Sequence, residues 1–338
     1  MYKHSKQLSV ENLLKTTVNA AEAILYTKQE PLSLDTNGNF VVSGIGISEA
    51  HARYAAHLIN TFTPATAYFR AVSEFYTHPL KAPLGETLLL FCDQFCANAL
   101  IPLHQTKQLN GSIIFTGQTY ASFRSRLEIA SPDLTDKINH LISYGQSDDE
   151  GILIKLVRSL TGYFAGIQFV NRQWPLKLPV LPKKFLQSLQ PIDALPENLS
   201  DYKNGGLLLA DDEILRFGQS LIRKFTDCLL HPPFYMTDPM SFCHGPLQQF
   251  VLNPAPVIIF KNNQKPQEIL VKKAQSILKS TGIKPWIVSS QRRTPYTIID
   301  YEMAMNQLVL ACLNKWKWDH SAHIRKRLGD TILSITHP

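Results

Sequence analysis

A histidine in a short loop is the clearest candidate for chemistry in the sequence. His244 is followed by Gly245 and Pro246, and the apolar run 257–260 after it is typical of a buried strand. Histidine changes charge near neutral pH and can act as a general acid or base. Glycine and proline also shape ordinary turns. The tripeptide is therefore consistent with a catalytic loop, but these three residues alone favour a turn whose histidine is simply hydrogen-bonded.

A glycine-rich turn is the second candidate. The apolar run 40–43 leads into Gly44, Gly46 and Ser48, and alanines recur at helical spacing directly afterwards. A strand, a glycine turn and a helix in this order direct backbone N–H groups towards an anion. The third glycine of a dinucleotide fingerprint is absent, as is the acidic residue after the next strand. The turn is therefore only a general signal for a ligand site.

Alternating strands and helices must position these residues. Buried strands are predicted from five apolar runs, at residues 88–91, 113–116, 206–210, 257–260 and 286–289. The second half repeats the order of the first at a nearly constant separation, which indicates a tandem duplication. We therefore predict an α/β fold of two flavodoxin-like lobes, each with a parallel sheet between two layers of helices. Ligands in such sheets bind beyond the carboxyl ends of the strands.

The composition fits a globular protein that stays in the cytoplasm. Of its 338 residues, 44% are hydrophobic and 18% are charged. No apolar run reaches the roughly 18 residues that a transmembrane helix needs, and the N-terminus lacks the apolar core of a secretory signal. An odd number of cysteines in apolar segments predicts reduced thiols, and we expect neither a disulfide framework nor a metal site. These cysteines are residues 92, 96, 228, 243 and 312.

The net charge of +7 raises the question of an anionic partner. Basic residues are scattered until the C-terminal tail, where they cluster with aromatic residues: Lys315, Lys317, Arg325, Lys326 and Arg327. Such a cluster could bind nucleic acid, attract an anionic small substrate, or form a solvated helix end. We rank nucleic acid last. The expected partner is a small molecule, with neither nucleic acid nor membrane involved.

Several motifs together resemble the sugar isomerase (SIS) domain, most closely the isomerase half of glucosamine-6-phosphate synthase. His-Gly-Pro-Leu at 244–247 matches that family's loop, although Cys243 replaces its usual lysine. Three further stretches are similar to family motifs, at 43–48, 73–75 and 156–159. The resemblance implies two SIS domains, at 1–190 with an N-terminal helix and at 191–338 with the tail. It also implies a homodimer acting on a sugar derivative without a cofactor.

The resemblance assigns catalytic roles to four residues. His244 corresponds to the histidine that opens the sugar ring, and Asp227 stands where the family has its glutamate base. Lys224 belongs to the same motif, but it could also pair with Asp227 on a helix surface. Lys326 corresponds to the lysine at the carbonyl group of the sugar, and its neighbours Arg325 and Arg327 compete with it for the position that faces the site.

The predicted substrate-binding residues are Gly46, Ser48, Cys92, Asp93, Gln94 and Ser159. In the family, the loop after the corresponding strand holds phosphate with three hydroxyl side chains. Here it reads Cys92-Asp93-Gln94-Phe95-Cys96-Ala97, so those hydroxyls and the loop glycine are missing. An ionised Asp93 about 4 Å from a phosphate would cost several kcal/mol. The loop therefore either accepts a neutral sugar or an amine, or has drifted without a function.

Two classes of function follow from these residues. The first is an aldose–ketose isomerase or aminosugar deaminase that works by proton transfer, supported by His244, Asp227 and Lys326. The second is a catalytically degenerate protein that binds a carbohydrate derivative or regulates another protein, supported by the altered loop 92–97. On the sequence alone we favour the enzyme.

Overall fold

The computed structural model describes residues 9–27, 30–35, 37–81, 85–145, 152–181, 185–189, 192, 194–263 and 265–316. The chain forms two compact units. The N-terminal unit comprises the described residues between 15 and 188, and the C-terminal unit comprises those between 189 and 316 together with 9–14. Helix α1 (Val10–Leu25) begins in one and ends in the other. No helix among the described residues has the length and apolar character needed to cross a membrane.

The N-terminal unit contains a five-stranded parallel sheet. Its strands are β1 (Asn39–Gly44), β2 (Thr66–Phe69), β3 (Thr87–Cys92), β4 (Gly111–Thr116) and β5 (His140–Ser143). Their order across the sheet is β2-β1-β3-β4-β5, and all neighbours run parallel. From β1 the chain first builds outward to β2 and then returns to β3 on the other side. This reversal between β1 and β3 opens a crevice at their carboxyl ends.

Helices cover the sheet of the N-terminal unit. They are α2 (Ile47–Phe62), α3 (Val72–Thr77), α4 (Leu100–His104), α5 (Tyr120–Ala130) and α6 (Ile152–Gln173). Helices α2 and α6 pack closely because Gly162 has no side chain, and a Cβ there would overlap the buried ring of His51. His51 Nε2 lies 2.8 Å from the carbonyl oxygen of Ser159, which joins the two helices beside the crevice.

The C-terminal unit contains a four-stranded parallel sheet in the order β7-β6-β8-β9. Its strands are β6 (Leu207–Leu209), β7 (Tyr235–Thr237), β8 (Val257–Asn262) and β9 (Trp286–Ser290). Its helices are α7 (Asp212–Phe217), α8 (Gln219–Leu229), α9 (Pro239–Cys243), α10 (Pro246–Leu252), α11 (Lys265–Ser280) and α12 (Thr297–Trp316). The predicted α/β class with parallel sheets is confirmed.

The structure differs from the predicted elements in two ways. The apolar spacing over 211–230 predicts one helix, but the helix is interrupted at Gly218, where a Cβ would overlap the carbonyl oxygen of Ile214. Strands β2, β5 and β7 follow no long apolar run and were not predicted. Each lies at the edge of its sheet and mixes exposed with buried residues, so it lacks the continuous apolar pattern of a central strand.

Candidate ligand-binding cleft

The candidate cleft of the N-terminal unit begins at the turn after β1. Gly46 has a φ of 65°, a left-handed conformation that favours glycine, and a Cβ there would meet open space. Two residues later, the hydroxyl of Ser48 accepts a hydrogen bond of 2.9 Å from the backbone N–H of Asp93. The turns after β1 and β3 are therefore joined at the point where the sheet reverses direction.

A partly exposed carboxylate lies in the turn after β3. Asp93 Oδ2 lies 3.9 Å from Nη1 of Arg158, a residue of α6 whose side chain is only 5% exposed. The hydroxyl of Tyr144 donates to Asp93 Oδ1 at 3.5 Å and is also hydrogen-bonded to the side chain of Ser48. The cleft thus holds one buried cation, one carboxylate and two hydroxyls that connect to each other.

Burial governs the charge state of this cluster. It raises the pKa of Asp93 above its usual range. The positive charges of Arg158 and Lys155 and the hydrogen bond from Tyr144 lower this pKa, but their effect is smaller. Burial also raises the pKa of the Tyr144 hydroxyl, to which the nearby Asp93 carboxylate contributes. Tyr144 therefore stays a neutral donor at physiological pH, and a further anion entering the cleft would meet the charge of Asp93.

The turn after β4 shapes the position of the Asp93 side chain. Gly117 lacks the Cβ that would overlap the Asp93 carboxylate, and its N–H donates to the carbonyl oxygen of Asp93 at 3.0 Å. The next residue, Gln118, accepts a hydrogen bond of 2.8 Å from the N–H of Phe95. The protein itself thus uses backbone donors of this loop that could otherwise face a ligand.

The predicted substrate-binding residues fall into two groups. Ser48, Cys92 and Ser159 are buried, and the Ser159 hydroxyl donates to the carbonyl oxygen of Leu156 in its own helix at 2.7 Å. Gly46 and Asp93 are partly exposed, and Gln94 is exposed at the edge of the cleft. A ligand that enters from solvent would therefore meet the second group first.

The predicted catalytic residues have different environments in the C-terminal unit. His244 is exposed in the turn between α9 and α10, and Asp227 is exposed on α8. Lys224, on the same helix, is buried, and its Nζ lies 2.5 Å from Oε2 of Glu302 in α12. Lys326, Arg325 and Arg327 lie outside the described residues.

Lys224 has a buried acidic partner. The side chain of Glu302 is 0% exposed and that of Lys224 is 1% exposed. The hydroxyl of Ser220 donates to the other carboxylate oxygen of Glu302. The ammonium group of Lys224 is thus neutralised inside the unit, and the alternative of a surface pair with Asp227 does not apply to it.

Sequence analysis missed three residues that define these clusters: Tyr144, Arg158 and Glu302. Arg158 carried a signal, because it is the one charged residue in the largely apolar stretch 156–170 of a helix, and a buried arginine needs a partner. Glu302 lies in a similar apolar stretch of α12. Within the described part of the chain, no three His, Cys, Asp or Glu side chains are arranged to hold a metal ion.

Comparisons with known proteins show which solved structures share this fold. No model of a protein family matches the chain, and no curated protein matches its sequence. Among solved structures, the C-terminal domain of glucosamine-fructose-6-phosphate aminotransferase from Francisella tularensis has a TM-score of 0.66 at 12% identity. That match covers 94% of this chain and 97% of the other. A candidate phosphosugar isomerase from Silicibacter pomeroyi has a TM-score of 0.64 at 14% identity, covering 93% and 95%.

A third similar structure is glucosamine-6-phosphate deaminase from Thermotoga maritima, with a TM-score of 0.56 at 11% identity over 90% of this chain and 93% of that one. The three likenesses confirm, at the level of the fold, the resemblance to sugar isomerase proteins inferred from the motifs. The chain therefore has the parallel α/β fold of the phosphosugar isomerases and of the isomerase half of the aminosugar synthases.

Proposed function

We propose that the chain binds an unphosphorylated sugar derivative, neutral or carrying an amine, in the cleft of its N-terminal unit. The observation that carries this proposal is the Asp93 carboxylate beside Arg158, in the loop that would hold phosphate in the sugar isomerase family. One buried cation is already paired with an internal anion there. Sugar hydroxyls or an amine can donate to the remaining carboxylate lone pairs, whereas a phosphate group would be repelled.

The rest of the chain fits a binding or regulatory protein of this fold. We propose two SIS domains in tandem, at 1–190 and 191–338, because the order of the first four strands is the same in both sheets. We also propose that the protein is a cytoplasmic homodimer, as the family resemblance implies. The burial of Lys224 against Glu302 supports binding over turnover, because a buried, ion-paired lysine is less accessible to a substrate than the exposed His244 and Asp227.

A thermal-shift screen with matched pairs of sugars tests the ligand class. We expect glucosamine or glucose to raise the melting temperature at millimolar concentration, while the corresponding 6-phosphates leave it unchanged. A ligand that binds only the native state stabilises it by mass action, by about 2.7 kcal/mol at a hundredfold excess over Kd. If the phosphorylated member of each pair stabilises the protein more strongly, the proposal is wrong.

Isomerisation or deamination is the second candidate, because His244 and Asp227 are both exposed and can meet a substrate. Under our proposal, His244→Ala changes the affinity for the ligand from the screen by at most about 0.5–1.5 kcal/mol, the contribution of one hydrogen bond. The wild-type protein then incorporates no solvent deuterium at C2 of that sugar. Deuterium incorporation that falls by ~10²–10⁴ in His244→Ala would instead establish the enzyme.

A further inference from the structure

Two cysteines lie together in the loop that carries Asp93. Cys92 is the last residue of β3 and is fully buried, and Cys96 follows four residues later at the partly exposed start of the next helical turn. The Cys92 thiol donates a hydrogen bond of 3.0 Å to the carbonyl oxygen of Gln94. Cys96 packs against the apolar cluster that contains Cys92, and the two thiols are close enough for each to shift the pKa of the other. Both cysteines are free thiols in the structure.

The two thiols have opposite chemical character. The neighbouring Cys92 thiol and the backbone N–H groups of Ala99 and Asn98 lower the pKa of Cys96 to about 7, against the effect of its burial. The neighbouring Cys96 and complete burial raise the pKa of Cys92 well above its usual range. The pair therefore combines a partly exposed thiol that ionises near neutral pH with a buried thiol that stays protonated. This is the arrangement of an attacking and a resolving cysteine.

We propose that Cys92 and Cys96 form a redox-active dithiol that exchanges with low-molecular-weight disulfides and closes to an internal disulfide. The Cys96 thiolate attacks one sulfur of a disulfide such as oxidised glutathione, so a Cys96–glutathione bond forms and one glutathione thiolate leaves. Cys92 then attacks Cys96 Sγ, the Cys92–Cys96 bond forms, and the second glutathione leaves. The two departing thiolates take up the protons of the two cysteines. Two protein thiols are thus oxidised, and one small disulfide is reduced to two thiols.

This inference goes beyond the proposed function and does not depend on the ligand. Its consequence for the cleft is direct, because the disulfide would close the segment 92–96 that contains Asp93. The other described cysteines supply a control. Cys243 is partly exposed, as Cys96 is, but belongs to the C-terminal unit, whereas Cys228 and Cys312 are buried.

Intact-mass analysis of the full chain after incubation with oxidised glutathione tests the proposal. We expect the wild type to lose the mass of two hydrogen atoms without keeping a glutathionyl group, and peptide mapping to show a Cys92–Cys96 link. Cys92→Ser, which keeps a hydrogen-bond donor, should instead accumulate one glutathionyl group on Cys96. Cys243→Ser should behave as the wild type does. A wild type that keeps glutathione on Cys96, or reacts only at Cys243, would overturn the proposal.

The pH dependence of the wild-type reaction gives an independent readout that needs no variant. With a Cys96 pKa of about 7, the thiolate fraction and the initial rate should rise roughly tenfold from pH 6 to pH 8 and then level off. An ordinary thiol with a pKa near 8.5 would rise roughly 75-fold over the same range and continue to rise. The steeper profile would contradict a Cys96 thiol that ionises near neutral pH. Separately, addition of a dithiol reductant should convert the Cys92–Cys96 disulfide fully back to two thiols.

Discussion

Replacing Glu302 by glutamine is expected to lower the free energy of unfolding by about 3–5 kcal/mol, the usual cost of leaving one member of a buried ion pair without its partner. Lys224 is 1% exposed, so its ammonium group cannot recover water when the carboxylate is removed. The hydrogen bond from Ser220 would also lose its charged acceptor. Urea denaturation followed by circular dichroism measures the change.

Two further variants separate a buried pair from a general effect of charge removal. Lys224→Met combined with Glu302→Met should recover most of the lost stability, because an apolar pair of similar volume can replace a buried ion pair at little cost. Lys284→Met, which removes one member of the exposed pair with Glu197, should change stability by less than about 1 kcal/mol. If Glu302→Gln destabilises the protein no more than Lys284→Met does, the Lys224–Glu302 pair does not stabilise the core as we expect.

The central strands could be predicted from the sequence because their environment leaves a simple pattern. Strands β3 and β8 are central strands buried by helices, so β3 is apolar after Thr87 and β8 begins with four consecutive apolar residues. The loop after β3 could be located for the same reason. An edge strand such as β5 needs only one buried residue among its four, which leaves no distinctive pattern.

The partners of the charged residues could not be predicted. Arg158 meets Asp93 because α6 packs beside the loop after β3, and the two residues are far apart in sequence. Glu302 meets Lys224 because α12 packs against α8. In each case the sequence shows a charged residue within an apolar segment, which predicts a buried partner but does not identify it. The roles assigned to His244, Asp227 and Lys326 remain predictions.

The largest change in ligand specificity is expected from Asp93→Ser. The substitution removes the carboxylate beside the buried Arg158 and places a hydroxyl donor in the loop. Two unit charges 4 Å apart interact by about 4 kcal/mol at an effective dielectric constant of 20. Because the Asp93 side chain is 18% exposed, water reduces this figure. We therefore expect anion affinity to improve by about 1.4–2.8 kcal/mol, which is roughly ten- to a hundredfold.

Controls separate the charge of Asp93 from its shape. Asp93→Asn keeps the size of the side chain and should show part of the gain in anion affinity. Adding Arg158→Met to Asp93→Ser should abolish that gain.

Sulfate is a suitable probe of the wild type because it does not titrate near neutral pH. Burial raises the pKa of Asp93, so this carboxylate is protonated, and loses its negative charge, at a higher pH than an ordinary aspartate. Sulfate binding to the wild type should therefore strengthen as the pH falls through that pKa.

Calorimetric titration of glucosamine 6-phosphate into wild-type protein and Asp93→Ser tests whether Asp93 holds the anion position of the cleft. We expect no measurable binding to the wild type at millimolar concentration and clear binding to the variant, which disappears again in Asp93→Ser/Arg158→Met. Unfolding measurements on the same samples confirm that each variant is folded. Binding to the wild type that is as tight as, or tighter than, binding to a folded Asp93→Ser variant would contradict the account.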